Sequence, residues 1–309
     1  MMRIFTKLFF ILVLAMSFLL PSCNQFEGEQ TIPSYIRIDS IGLSCDYYTY
    51  GANTHNITDA WVYVDDDIVG CFELPCTFPV LKSGKHKVEV RAGIKVNGIA
   101  AARSPYQFFQ AKVYDEVDLF PDSIVKLNPV VTYLPNGDNL HVRWMEDFDQ
   151  GSIGLTKTSY SDTTIIRVGG AEAWHDPDML YSTYSGKIVL TSDTMCFSIA
   201  STEELDDLPQ KGSACMLEMD FNTSDTCLVG MYCLKNNTIQ EIPLVQLPPT
   251  SAPGTHPNHW KKIYINLGPN LVYYEGATYF KPYLASWDLR NPGEQYFYFD
   301  NLKIIYRDR

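Results

Sequence analysis

Six histidines and eight cysteines are the first places to look for chemistry in this 309-residue chain. His256 and His259 are spaced HxxH beside Trp260. On a helix that spacing would put both imidazoles on one face, but Pro253, Gly254 and Pro257 exclude a helix there. They read as loop histidines rather than ligands, because a zinc site needs three or four donors. His175, followed by Asp176, Pro177 and Asp178, reads the same way. No GxSxG elbow, no CxxC pair and no nucleophile signature surrounds any cysteine. Carboxylate pairs are abundant in so acidic a chain, and the separation that defines a glycosidase dyad is a tertiary quantity. The sequence designates no catalytic residue.

Recognition chemistry is better represented. Residues 272–287 hold Tyr273, Tyr274, Tyr279, Phe280, Tyr283 and Trp287, with Gly276 and Pro282 breaking any regular pattern. Aromatic faces stack on apolar faces of sugar rings while their polar tips reach water or hydroxyls. The alternation of Tyr279, Lys281 and Tyr283 is equally that of a buried strand face, so most of these rings are expected in the core. Trp287 and Trp260, with Tyr273 and Tyr274, are the candidate ligand-binding residues.

Before any of these elements comes a leader. Arg3 and Lys7 precede an apolar run from Leu8 to Leu20, the basic and apolar regions of a secretory signal, too short for a comfortable membrane span. Leu20-Pro21-Ser22-Cys23 resembles a bacterial lipobox, in which the cysteine thiol receives diacylglycerol and the chain is cut just before it. That resemblance implies residues 1–22 as signal peptide, Cys23 as the lipid-attachment site, an outer-membrane location and acyl chains as the membrane partner. Residues 23–31 read as a polar tether. Removal of Arg3 and Lys7 leaves all 36 acids in place, so the mature chain is more acidic than the −12 of the whole. Such a charge disfavours nucleic acid as a partner. Of the remaining cysteines, Cys227 and Cys233 share one apparent strand, six residues apart, and lie beyond disulfide reach of each other.

The elements that must position these groups are strands. From 32 to 134 the alternations Ile36/Ile38 and Val88/Val90 mark half-buried strands. Asp65-Asp66-Asp67 sits between two apolar runs and suits a hairpin turn. The order VYVDDDIVG, a proline-broken stretch, then GKHKVEVRAG resembles PEGA-type and immunoglobulin-like domains, which implies a sandwich with a spacer or docking role. Residues 134–139, Leu-Pro-Asn-Gly-Asp-Asn, form the expected boundary, where protease would leave two β-rich fragments.

Residues 140–309 carry a second set of strands, and the spacing of Ser201 and Glu204 ahead of Pro209 predicts one short helix. An opening EDFD, a central SGK, a late WKKIYINL and a terminal FDNLKIIY resemble MAM-type and carbohydrate-binding jelly rolls. The expected fold is therefore all-β, an immunoglobulin-like sandwich followed by a jelly roll of the concanavalin or galactose-binding kind. The resemblance also implies a structural calcium ion where first and last strands meet, held by Glu146, Asp147, Asp149 and Asp300; strand-end capping by Asp147 or Asp300 is the alternative. The function expected is that of a non-catalytic lipoprotein, a binding or scaffolding subunit of an envelope assembly with a protein partner. The alternatives are a glycan-binding accessory of polysaccharide uptake and a glycan-active enzyme.

Overall fold

A computed structural model describes residues 32–135, 139–174, 182–251, 259–287 and 293–308. Cys23, the leader, the tether, His175 and His256 lie outside the described residues. The described chain is almost entirely β, built as two sandwiches.

The first contains β1 (Ser34–Ile38), β2 (Gly42–Leu43), β3 (Asp59–Val64), β4 (Asp67–Glu73), β5 (Cys76–Val80), β6 (Gly84–Lys95), β7 (Arg103–Pro105), β8 (Phe109–Gln110), β9 (Lys112–Leu119), β10 (Ile124–Leu127) and β11 (Val130–Tyr133). A one-turn helix, α1 (Tyr47–Tyr50), is capped by the Asp46 carboxylate, which accepts from the Thr49 amide. One sheet runs β4-β3-β6-β7 with β9 also on β6, and faces the set β10-β1-β5, with β2-β11-β8 closing one side. Between them the alternating Ile36, Ile38, Val62, Val64, Val88 and Val90 are all fully buried. Each such side chain contributes roughly 1.5–3 kcal/mol. The expected aspartate turn joins β3 to β4, with Asp65 and Asp66 both in the left-handed region (φ 51° and 69°) that Asp tolerates in tight hairpins.

The second sandwich contains β12 (Leu140–Glu146), β13 (Leu155–Lys157), β14 (Ile166–Gly169), β15 (Tyr184–Leu190), β16 (Cys196–Ser201), β17 (Ala214–Thr223), β18 (Cys227–Lys235), β19 (Thr238–Leu247), β20 (Lys261–Asn266), β21 (Tyr279–Trp287) and β22 (Gln295–Arg307), with a short helix α2 (Gly268–Tyr273). A six-stranded sheet, β14-β15-β22-β17-β20 with β12 on β22, packs against a five-stranded one, β13-β16-β21-β18-β19. Phe297, Phe299, Leu217 and Met219 meet Val229, Met231, Phe280 and Leu284 in one apolar core. Cys227 and Cys233 point into that core from β18 as free thiols, and their spacing along the strand keeps them from pairing with each other.

The helix expected after Ser201 does not form. Leu205 instead exchanges both backbone hydrogen bonds with Phe280 (2.9 Å each), and its side chain enters the core. The buried Ser201 hydroxyl donates to the Glu203 carbonyl rather than capping a helix. Burial of Leu205 outweighs the local capping pattern.

Strand β22 serves two neighbours on one edge. Its first half pairs with β15 and its second with β12, while β17 runs along the other edge. A register shift opposite Glu218/Asp220, with Asn301 at φ 49°, inserts one residue. Phe297 and Phe299 face inward before it, Leu302 and Ile304 after it. Lys303 and Ile305 are thereby turned outward, toward the first sandwich.

That outer patch of the six-stranded sheet is where the sandwiches join. Met216, Tyr264 and Ile305 belong to the apolar cluster of the first sandwich. Among them sits a fully buried ion cluster. Glu218 accepts from the hydroxyls of Tyr106 (2.6 Å) and Tyr133 (2.9 Å), with the Lys262 and Lys303 ammoniums at 3.4 and 3.7 Å. Lys303 donates to the Tyr50 carbonyl and to Tyr133 Oη, and Lys262 donates to Thr54 Oγ1 (2.8 Å). Burial alone would raise the Glu218 carboxyl, but Lys303, Lys262 and the two tyrosines offset it and hold it below the ordinary glutamate range.

Removing one partner of such a cluster leaves a charge buried without its counterion, at a cost of about 3–5 kcal/mol. Glu218→Gln should lower the melting temperature by about 10 °C. A depressed carboxyl stabilises above its ordinary pKa of 4.5 and loses that contribution as pH falls, so the variant should also flatten the acid limb of the stability profile. Cleavage between 134 and 140 should give two pieces that co-elute in gel filtration; their separation would show that the cluster does not hold the halves together.

Candidate functional site

In the five-stranded sheet the side chains alternate between core and outer face. Along β21 Phe280 and Leu284 point inward, so Tyr283, Ala285 and Trp287 point out. Along β18 Val229, Met231 and Cys233 point inward, so Leu228, Gly230 and Tyr232 point out. Strand β16 adds Cys196, Ser198 and Ala200, and register places Glu241 of β19 directly opposite Tyr232. The face that results has a floor of small residues and aromatic side walls.

A depression of about 190 Å³ opens on this face, lined by Tyr160, Cys196, Ser198, Tyr232, Glu241, Ala285 and Trp287. Trp287 is 62% exposed at the end of β21, and Tyr160 is 80% exposed on the loop after β13. Tyr283 lies flat across Gly230, stacked on Tyr232 at 4.4 Å between centroids and 25° between planes. Its hydroxyl donates to Glu241 Oε1 at 2.8 Å, and Ser198 Oγ lies 3.2 Å from Tyr232 Oη. Burial and the Glu241 carboxylate push the Tyr283 hydroxyl far above its usual range, so it is a fixed donor. The loop carrying Tyr160 is pinned by Asp162, whose carboxylate accepts from the amides of Met195 (3.0 Å) and Cys196 (3.1 Å). The Cys196 thiol, raised by burial and then by Asp162, stays protonated and donates to the Tyr160 carbonyl. This surface combines flat apolar rings with hydroxyls and one solvent-facing carboxylate, groups that can stack on and hydrogen-bond a polyhydroxylated molecule.

Of the four residues expected to bind ligand, only Trp287 belongs here. Trp260 precedes β20 on the other sheet and meets Tyr298 edge-on at 6.4 Å. Tyr273 and Tyr274 stand on and just after α2, beside Lys235, Asn236, Thr238 and Gln240, in a separate depression. That depression lies at the Tyr279 end of β21, eight residues and roughly 26 Å from Trp287. Tyr283 is only 1% exposed yet sits outside the core, because Tyr232 and its neighbours cover it from the solvent side. Sequence reasoning missed Tyr160, Ser198, Tyr232 and Glu241. The apolar alternation of β18 was a usable indication for Tyr232; nothing local to Tyr160 pointed to it.

The carboxylates expected to hold calcium are each engaged by protein donors. Glu146 accepts from the amides of Phe148 (2.7 Å) and Gly154. Asp147 accepts from Tyr47 Oη (3.0 Å) and the Asp149 amide (3.1 Å), and Asp149 from Thr183 Oγ1 (2.7 Å) and the Thr183 amide (3.0 Å). Asp300 accepts from Ser185 Oγ (2.6 Å) and the Asn301 amide (2.7 Å), with its carboxyl raised well above the usual range by burial. Among the described residues no three His, Cys, Asp or Glu side chains converge as a metal site.

No family model matches this chain, and no curated protein matches it. Solved structures overlap it loosely. One, on the promiscuous specificity of carbohydrate-binding modules of the β-sandwich superfamily, is 12% identical and covers 80% of this chain and 84% of its own, with a TM-score of 0.37. A xylanase fragment from Clostridium thermocellum, complexed with xylohexaose, is 10% identical over 53% of this chain and 28% of that one, TM-score 0.35. A family 11 carbohydrate-binding module from Clostridium thermocellum, in complex with a mixed-linked tetrasaccharide, is 12% identical over 52% of this chain and 92% of that one, TM-score 0.32. The chain thus spans about a quarter of the xylanase fragment. Overlaps this loose assign neither family nor activity.

Gly230 is the position on which the platform geometry turns. A Cβ there would stand 2.3 Å from Tyr283 Cζ. Gly230→Ala should tilt Tyr283 off the sheet and break its bond to Glu241. The expected cost is about 1–3 kcal/mol, read by denaturant unfolding, together with a change in the near-UV tyrosine spectrum. An unchanged spectrum would mean that the ring does not rest on Gly230.

Proposed function

We propose that this chain is a lipid-tethered, non-catalytic binding protein of the cell envelope whose second sandwich takes a carbohydrate on the outer face of its five-stranded sheet. The observation that carries the reading is the pairing of two exposed aromatics, Trp287 and Tyr160, with the Tyr283–Glu241 and Ser198–Tyr232 polar contacts on one face. The rings supply stacking surfaces, and the Glu241 carboxylate and the hydroxyls supply acceptors and donors for ring hydroxyls. Strands hold Trp287, Tyr232, Tyr283, Ser198 and Glu241, and Asp162 pins the loop that carries Tyr160, which limits the ordering cost of binding. The first sandwich serves as a spacer, joined to the binding sandwich by the ion cluster around Glu218 and to the membrane by lipid on Cys23.

A glycan array probed with the full mature chain is the direct test. Trp287→Ala and Tyr160→Ala should each weaken a selected glycan at least tenfold, about 1.4 kcal/mol, with the melting temperature unmoved. Trp260→Ala should leave binding intact. Absence of any retained glycan, or unchanged affinity in Trp287→Ala, overturns the carbohydrate reading.

The anchor has its own measurement. Cys23→Ala should abolish labelling by a fatty-acid probe and move the protein out of the membrane fraction. Continued labelling of that variant would place the lipid elsewhere.

A further inference from the structure

The first sandwich carries an exposed apolar patch at one end. Register places Pro79 of β5 and Ile124 of β10 on either side of Tyr35 in β1. The alternate residues Ile36 and Phe78 fill the core, so these three face outward. Leu81, one step past β5, and Phe120, one step past β9, extend the patch, and Ile32 begins it. Ile32, Leu81, Phe120 and Ile124 are each more than half exposed. Backbone contacts gather these stretches: the Asp122 amide donates to the Pro33 carbonyl (2.9 Å) and Ser34 Oγ to the Lys82 carbonyl (3.0 Å). Further along the same face the outward residues change character, to Arg37, Asp39 and Lys126, which pair as ions.

Apolar surface is thus concentrated at the end where Ile32 leads back toward Cys23. Nine residues of chain span at most ~30 Å. A tether this short holds that end of the sandwich at high effective concentration beside the surface that carries its lipid. Exposed aliphatic and aromatic side chains there lower their free energy by leaving water. Around the patch Lys82 is paired with Asp65 and Asp122 follows Phe120, so no basic excess draws this end to anionic headgroups and zwitterionic ones suit it.

We propose that this end of the first sandwich rests on a zwitterionic phospholipid surface beside the anchor, with Ile32, Leu81, Phe120 and Ile124 buried among the headgroups. The inference rests on lipidation of Cys23, as proposed above. It orients the molecule, with the apolar end down and the second sandwich held away from the bilayer.

The test uses full-length lipidated protein in phosphatidylcholine vesicles with brominated acyl chains. Phe120→Trp reports from the patch. Tyr48→Trp reports from the opposite end, in α1, next to Tyr47 whose hydroxyl bonds Asp147 of the second sandwich. The emission added by Phe120→Trp should be quenched at least twofold, and that added by Tyr48→Trp should not. Vesicle-bound, acyl-labelled protein with an unquenched Phe120→Trp signal overturns this inference alone, as does equal quenching at both positions. If the wild-type chain takes no acyl label, the tether reading falls and this inference falls with it.

Discussion

The fold depends on one buried carboxylate. Glu218 lies at the join of the two sandwiches with no exposed surface, and it is tolerable only because two lysines and two tyrosine hydroxyls surround it. Each partner comes from a different strand or loop: Tyr106 and Tyr133 from the first sandwich, Lys262 from β20 and Lys303 from β22. A cluster satisfied only in the assembled state penalises every arrangement in which the halves slide or separate. The surrounding Tyr264, Met216 and Ile305 make the join continuous with the apolar core of the first sandwich.

The bulge at Asn301 is what makes this join compatible with the jelly-roll core. Without it, Lys303 would share the inward face of Phe297 and Phe299, and a lysine would enter the apolar layer. One inserted residue reverses the phase halfway along β22. The same strand then serves the core with Phe297, Phe299, Leu302 and Ile304 and the interface with Lys303 and Ile305. A strand of 13 residues can do both because β12 and β15 divide its edge between them.

Using part of the six-stranded sheet for assembly leaves the opposite sheet's outer face open. There the floor is Gly230, Ala200 and Ala285, small enough for Tyr283 to lie flat and for a shallow depression to form between Tyr160 and Trp287. The join and the open depression thereby lie on opposite sides of one core.

Periodicity in the sequence was enough for the class of fold. The alternations of Val88/Val90 and of residues 215–221 each place large apolar side chains on one face, and burial follows from that pattern whatever the neighbours. The aspartate hairpin was legible because left-handed backbone favours few residue types. The strand containing Cys227 and Cys233 was legible too, since its alternation is unbroken. Tertiary structure alone decided the rest. Capping residues after Ser201 specify a helix only if Leu205 has no better place, and Phe280 offered one. The acids near 146 and 300 were legible from their types; that Asp147, Asp149 and Asp300 meet Tyr47, Thr183 and Ser185, residues far away in the chain, was not. The depression on the outer face joins Tyr160, Ser198, Tyr232, Glu241 and Trp287 across four strands and a loop, and no local spacing encodes that. Residue types determined what could pack and what could bind; strand register decided which of them stand together.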